Sequence, residues 1–283
     1  MKYLYSNGCS FVYGDEIDHP HENRWSRIFS DKCGVEDINE AENGSSNNRI
    51  YRTTKDWVLS NKDKLEDTFV VLGWSQSIRT ERYNDEAAMH ESINFAVEPK
   101  YMSASDNNGM DASGHIEHGS VHGPFWGKSP PRRFWNQYVK YYFDDNYFNE
   151  ESSLRVFAMQ QLLEKYNIKY YFYFSMENNV IDHMQRNYKD LYNFDKIYHQ
   201  SQEDWIRDIV EKETGGIIEW DNKVNTYFNP KGGWDGFEGS HPDEKSHSLW
   251  ADFLYEEYKR LYTCINRRWC FIEITKWRKI KFN

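Results

Sequence analysis

Short apolar runs alternate with amphipathic stretches along most of the chain. Residues 68–72 (Thr-Phe-Val-Val-Leu) form a nearly continuous apolar run, as in a strand that is covered on both faces. In residues 246–261 the apolar positions recur at helical spacing. The same patterns predict strands at residues 2–6, 35–39, 68–72 and 169–175, with a short one at 217–220. They predict helices at residues 24–32, 48–61, 152–166 and 246–261.

Strands that alternate with helices indicate a mainly parallel sheet with helices on both sides. The sequence therefore predicts an α/β protein with a three-layer α/β/α architecture. In open sheets of this kind, functional groups gather at the carboxyl ends of the strands. We expect the turns that follow the predicted strands to lie close together.

Two segments depart from this rhythm. Residues 77–131 are polar and rich in Gly, Ser, Asn and His, so they are predicted to be a long insertion over the active-site face. Residues 263–283 carry an excess of Lys and Arg and are predicted to be a basic C-terminal extension whose charge is solvated. The main domain is then residues 1–262.

Composition narrows the possible partners. A net charge of -10 disfavours a nucleic-acid partner or an anionic membrane surface. No segment is typical of a signal peptide or a bilayer-spanning helix, and the four cysteines are scattered, so a soluble protein in the reducing cytoplasm is expected. His115, His118 and His122 are interspersed with glycines that disfavour a chelating helix, so neither a metal nor another cofactor is predicted.

Four polar turns carry the candidate chemistry, and each has a structural alternative. Ser10 lies in the turn after the first strand, where a serine can be exposed as a nucleophile or can cap a helix. Gly44 either supplies a donor N–H or only a positive φ. Ser75 and Gln76 either bind substrate or satisfy backbone groups at the strand end. His241 is either a general base or an ordinary loop residue. The turns are 8–10 (Gly-Cys-Ser), 39–44 (Asn-Glu-Ala-Glu-Asn-Gly), 73–76 (Gly-Trp-Ser-Gln) and 238–242 (Glu-Gly-Ser-His-Pro).

The order of these four turns resembles that of the SGNH/GDSL hydrolase superfamily over nearly the whole chain. The resemblance implies a flavodoxin-like α/β/α fold and a serine esterase mechanism. It makes Ser10 the nucleophile, with Cys9 where the family has aspartate, and His241 the general base. It also implies an oxyanion hole formed by Ser10, Gly44 and Ser75.

Two positions differ from the family pattern. Ser75 stands where the family has an asparagine that donates to the oxyanion. Glu238 stands where the family has the aspartate that orients the histidine, so Glu238 and Asp235 are both candidates for that role. Trp74, Gln76 and Arg79 are predicted to contact substrate; Arg79 either holds an anionic or polar group or pairs with Glu81.

The resulting hypothesis is an ester hydrolase that works through an acyl-enzyme. The expected partner is a small-molecule or carbohydrate ester, with O-acetyl groups on a carbohydrate as the first candidate. The alternative is a catalytically impaired SGNH-fold protein that serves as a binding or structural module. The altered third and last turns motivate that alternative.

Overall fold

The computed structural model describes residues 1–84, 89–94, 144–176, 178–214 and 241–262. Its strands, in chain order, are β1 (Tyr3–Gly8), β2 (Glu36–Asn39), β3 (Thr68–Trp74), β4 (Arg79–Asn84), β5 (Met89–Asn94), β6 (Lys169–Phe174) and β7 (Ile197–Ser201). Most of the predicted insertion, the predicted strand at 217–220 and the C-terminal extension lie outside the described residues.

The helices are α1 (Ser10–Tyr13), α2 (Pro20–Asn23), α3 (Trp25–Cys33), α4 (Asn47–Ser60), α5 (Asp145–Lys165), α6 (Asn179–Tyr188), α7 (Gln202–Thr214) and α8 (Glu244–Tyr262). Polar residues begin several of them. The Ser46 hydroxyl accepts the Arg49 N–H at 3.2 Å and caps α4, and the Asp144 carboxylate accepts the Asn146 N–H at 2.8 Å at the start of α5.

The central sheet has the strand order β2-β1-β3-β6-β7, and every neighbouring pair is parallel. Apart from the hairpin, this is the order 2-1-3-4-5 of the flavodoxin-like doubly wound fold. The chain starts in β1, winds outward to β2 and then crosses back to β3. The crevice at this change of direction therefore lies at the carboxyl ends of β1 and β3.

Two apolar clusters cover the two faces of the sheet. Val70 and Leu72 of β3 pack with residues of α4, α5 and α6, whereas Phe69 and Val71 pack with residues of α3 and α8. All seven residues of β3 are buried, which confirms the buried strand predicted at residues 68–72 and extends it by two residues. The predicted three-layer α/β/α architecture is therefore confirmed.

The structure adds elements that the sequence pattern did not predict. Within the predicted insertion, β4 and β5 form an antiparallel hairpin in which Arg79 pairs with Asn94. At the far side of the sheet, α6, β7 and α7 were also missed. β7 is an edge strand that buries only its two end residues, Ile197 and Ser201, so it lacks the continuous apolar run of a central strand.

Glycines allow a close approach at the ends of the two central strands. Gly8 of β1 lies opposite Gly73 of β3. A Cβ atom at Gly8 would lie 2.2 Å from Cγ2 of Val12 and 2.7 Å from the Gly73 carbonyl oxygen. The missing side chain therefore lets α1 fold back directly onto the strand ends.

None of the helices in the described residues is long and apolar enough to cross a bilayer.

Gly8→Ala is expected to destabilise the protein by about 1–3 kcal/mol, because the new methyl group overlaps Val12 and a backbone oxygen. Urea unfolding followed by circular dichroism measures the change. In a Val12→Ala background the penalty should shrink, since Val12 supplies two of the three closest contacts. An equal penalty in both backgrounds would contradict the proposed overlap.

Candidate active site

Ser10 lies at the first position of α1, immediately after β1. Cys9 occupies the N-cap position, so Ser10 does not have the capping role that was its structural alternative. The Ser10 carbonyl accepts the N–H groups of Gly14 at 2.9 Å and Asp15 at 3.1 Å, which closes the short helix. Ser10 is 4% exposed, and it is held at the carboxyl edge of the sheet.

Asn7 fixes the turn that carries Ser10. Its Oδ1 accepts the Gly8 N–H at 2.8 Å, and its Nδ2 donates to the hydroxyls of Thr53 at 2.7 Å and Thr54 at 3.0 Å. Asn7 is fully buried. The end of β1 is therefore tied to α4 by hydrogen bonds that leave little freedom at the serine turn.

His241 lies beside the same turn and pairs with a carboxylate. Its Nδ1 is 2.9 Å from Oε1 of Glu16, and its ring centroid is 5.6 Å from that of Phe11, the neighbour of Ser10. The side chains of His241 and Glu16 are only 17% and 15% exposed. A carboxylate at Nδ1 is the arrangement that orients a catalytic imidazole and leaves Nε2 as its basic atom.

Glu16 was not among the residues chosen from the sequence. The candidates for its role, Asp235 and Glu238, lie outside the described residues. Glu16 follows Ser10 by six residues and has a positive φ of 66°, a conformation that is uncommon for a non-glycine residue. The adjacent acids Asp15 and Glu16 after the serine turn were the available signal, but the resemblance directed attention to the last turn instead.

His247 lies one turn into α8 and has a structural role. It is fully buried, and its Nδ1 accepts the Trp25 N–H at 3.1 Å, which requires an unprotonated nitrogen. Burial, assisted by nearby His241 and Arg24, lowers the pKa of His247 to about 3. His247 therefore stays neutral and fastens the start of α8 to α3.

The Gly44 turn packs against the end of β1. The Glu42 N–H donates to the Gly8 carbonyl at 3.2 Å, and the Glu42 carbonyl accepts the N–H and the hydroxyl of Ser45 at 3.1 and 2.7 Å. Gly44 has a φ of 73°, in the left-handed region that favours glycine. The turn that follows β2 therefore lies next to the turn that carries Ser10.

Asn47 connects this region to the turn after β3. Its Oδ1 accepts the Ser75 N–H at 2.8 Å, and its Nδ2 donates to the Ser75 carbonyl at 3.1 Å and the Ser152 hydroxyl at 3.1 Å. This side chain thus holds the Ser75 backbone from both sides. Sequence reasoning missed Asn47, because a buried asparagine at a helix start has no pattern that distinguishes it from a capping residue.

The Ser75 hydroxyl is held by Arg79. Arg79 Nη1 donates to Ser75 Oγ at 3.1 Å. Glu81 forms its ion pair with Arg52 of α4 instead of Arg79, through contacts of 3.0 and 2.7 Å. Hydrogen bonding from the Arg52 guanidinium to Glu81 raises the pKa of Arg52.

Trp74 does not lie where a substrate-binding residue is needed. It is fully buried, and its ring packs 5.7 Å from that of Phe172. β3 extends two residues beyond the predicted end at Leu72, and this extension carries Trp74 into the core. Gln76 is partly exposed and lies two residues beyond the end of the same strand.

Within the described residues, no group of three or more His, Cys, Asp or Glu side chains is arranged to hold a metal ion. His115, His118 and His122 lie outside those residues.

Comparison with known proteins finds similar structures at low sequence identity. No protein-family model matches the sequence, and no curated protein matches it. Similar solved structures include a protein assigned to the lipolytic G-D-S-L family from Desulfitobacterium hafniense DCB-2, at 10% identity over 91% of this chain and 99% of that one, with a TM-score of 0.42.

Two others are TesA and the acetyl xylan esterase AlAXEase. TesA is 10% identical over 92% of this chain and 99% of that one, with a TM-score of 0.44. AlAXEase is 12% identical over 90% of this chain and 98% of that one, with a TM-score of 0.43. The G-D-S-L protein belongs to the superfamily that the sequence resembles, but likeness of this degree assigns no reaction or catalytic residue to the chain.

Acidification is expected to destabilise the protein through His247. Its folded-state pKa of about 3 lies below the ordinary 6.5, so its contribution to stability is complete above pH 6.5 and is lost as the pH falls toward 3. Urea unfolding should show a loss from this residue of about 3 kcal/mol between pH 7 and pH 4.

The matched control is His247→Asn, which retains an acceptor for the Trp25 N–H and does not titrate. This variant should have a shallower dependence of unfolding free energy on pH. An unchanged dependence would show that the acid sensitivity arises elsewhere.

Proposed function

We propose that the chain is a serine esterase of the SGNH/GDSL type. The observation that carries the proposal is the 2.9 Å contact between His241 Nδ1 and Glu16 Oε1, beside the turn that presents Ser10. A nucleophile, a base and an orienting carboxylate are the three roles that acyl transfer from an ester requires. Here Ser10 and Glu16 belong to one short segment, and His241 lies three residues before the start of α8.

The reaction proceeds in two halves. Ser10 Oγ attacks the ester carbonyl carbon while His241 Nε2 takes the hydroxyl proton, and Glu16 stabilises the resulting imidazolium. The tetrahedral intermediate collapses with cleavage of the bond to the alcohol oxygen, which receives the proton from His241. Water then attacks the acyl-Ser10 ester with His241 again as base, and the carboxylic acid and free Ser10 are released.

The Ser10 and Gly44 amides together with Ser75 form the proposed oxyanion hole. Ser75 differs from the asparagine of the family, but its hydroxyl is well prepared to donate. Because Ser75 Oγ accepts from Arg79 Nη1 at 3.1 Å, its own hydrogen remains available for the oxyanion. The Arg79 charge also increases the polarity of that hydroxyl, which strengthens its bond to a developing negative charge.

For the substrate, we propose a small-molecule ester or an O-acetyl group on a carbohydrate. The limited exposure of Ser10, at 4%, favours a short acyl group.

Ser10 should react with a small alkyl fluorophosphonate, because the reagent needs an activated hydroxyl but no knowledge of the natural substrate. Mass spectrometry should find the adduct on Ser10 in the wild-type protein and none in Ser10→Ala. Wild type should also hydrolyse p-nitrophenyl acetate at least about a hundredfold faster than Ser10→Ala. Absence of both labelling and turnover in the wild type would favour the catalytically impaired binding module.

Glu16→Gln is expected to lower kcat by about 10²–10⁴-fold with little change in KM, because the amide cannot stabilise the imidazolium. The comparison variants are Glu238→Gln and Asp235→Asn, each expected to retain kcat within about tenfold of wild type. A larger loss in either comparison variant than in Glu16→Gln would transfer the orienting role to the last turn. Circular dichroism of all three variants verifies that they fold.

A further inference from the structure

Arg79 has no carboxylate partner within the described part of the chain. Its Nη1 donates to Ser75 Oγ at 3.1 Å, its Nη2 lies 3.9 Å from Sδ of Met176, and its Nε is buried without a hydrogen-bond partner. A guanidinium offers five N–H donors and cannot lose its charge in a protein. Most of the donor capacity of Arg79 is thus unused by these neighbours.

The nearest acid in sequence is committed elsewhere. Glu81 is held through two hydrogen bonds by Arg52, and its side chain is only 6% exposed. Paired guanidinium–carboxylate contacts of this kind are among the strongest in proteins. The Arg52–Glu81 pair therefore occupies the carboxylate that is nearest to Arg79 in sequence, and no other carboxylate of the described residues compensates the Arg79 charge.

A second group of polar atoms lies at the adjoining strand end, and these atoms also lack partners. Ser175 directly precedes Met176, and its Oγ is buried without a hydrogen bond. The Glu203 N–H donates to the Ser175 carbonyl at 3.0 Å, which places the preceding residue, Gln202, next to this strand end. Gln202 is fully buried, yet neither of its side-chain amide atoms has a partner.

Unpaired buried polar groups are uncommon, because each costs about 1–3 kcal/mol of desolvation. Three residues carry such atoms here, namely Arg79 at the start of β4, Ser175 just after β6 and Gln202 at the start of α7, and they indicate a place where a polar ligand supplies the missing bonds. Because a guanidinium can only donate, the ligand has to supply acceptors for the unused N–H groups of Arg79. Ser175 and Gln202 can each donate to the same ligand.

We propose that Arg79 is the centre of an anion-binding subsite, and that the substrate is an ester that also carries a carboxylate or phosphate group. This proposal rests on the proposed esterase function for its account of turnover. Arg79 also holds Ser75 of the proposed oxyanion hole, so the anion would bind close to the reacting carbonyl. A guanidinium favours carboxylate and phosphate over neutral polar groups because it combines charge with a planar set of donors. The net charge of -10 disfavours non-specific anion binding, so selective binding reports on this subsite.

The kinetic test compares esters that differ in charge but hardly in shape. The substrates are 4-acetoxybenzoate and its neutral counterpart 4-acetoxybenzamide, with 4-acetoxyphenyl phosphate as the phosphate arm. Wild type should have a kcat/KM at least about tenfold higher for an anionic ester than for the amide. The better of the two anionic esters identifies carboxylate or phosphate as the preferred group.

Arg79→Gln should bring the ratio of anionic to neutral kcat/KM close to one, whatever happens to the neutral rate. The matched control is Arg186→Gln, which removes an exposed guanidinium from α6 and should preserve the ratio. A wild-type ratio near one, or an unchanged ratio in Arg79→Gln, overturns the subsite. If Arg79 only supports Ser75, Arg79→Gln will slow the hydrolysis of all three esters equally. That result also overturns the subsite.

A binding measurement separates the subsite from catalysis. In Ser10→Ala protein, isothermal titration calorimetry should show at least about tenfold tighter binding of an anionic ester than of 4-acetoxybenzamide, and Arg79→Gln should remove the difference. Charge-selective binding without fluorophosphonate labelling of the wild type supports the subsite and rejects the esterase. Labelling and turnover without charge selectivity rejects the subsite and supports the esterase.

Discussion

The close approach of β1 and β3 at Gly8 and Gly73 determines where the candidate site forms. The two glycines lie opposite each other in the parallel register. A Cβ atom added at either position would lie within 3 Å of Val12. Because both side chains are absent, the chain turns into α1 immediately after β1. Ser10 is thereby held at the change of direction in the sheet, where doubly wound folds place their ligands.

The histidine reaches the same place through contacts at the start of α8. His247 accepts the Trp25 N–H, and Asn23 Nδ2 donates to Glu244 Oε1 at 3.1 Å, so the first turn of α8 is fastened to α2 and α3. These helices follow α1 directly in the chain. The position of His241 relative to Ser10 and Glu16 therefore depends on one compact unit formed by residues 10–33 and the start of α8.

The sequence was sufficient to predict the architecture where burial is strong and two-sided. The continuous apolar run of β3 and the periodic positions of α8 identified those elements, whereas the edge strand β7 and the β4–β5 hairpin have weaker patterns. Gly73 shows a different limit. It was interpreted as the end of a strand, but a strand tolerates glycine where another element packs too closely for a side chain. Because the predicted strand ends too early, at Leu72, the sequence analysis assigns Trp74 to a substrate cleft, whereas the residue lies in the core.

The site shows the same division between what is local and what depends on three dimensions. The order of turns along the chain was enough to select Ser10, Gly44, Ser75 and His241 as candidates. The pairing of Glu16 with His241 and of Glu81 with Arg52 joins elements distant in sequence, and no local pattern specifies which acid meets which base. The Arg52–Glu81 pairing also determines what Arg79 contacts. Arg52 neutralises Glu81 and so leaves Arg79 to hold the Ser75 hydroxyl, while Asn47 holds the Ser75 backbone. In the proposed oxyanion hole, the Ser75 side chain reaches less far than an asparagine would. Its contacts with Asn47 and Arg79 offset this disadvantage by reducing the reorganisation needed when negative charge develops nearby.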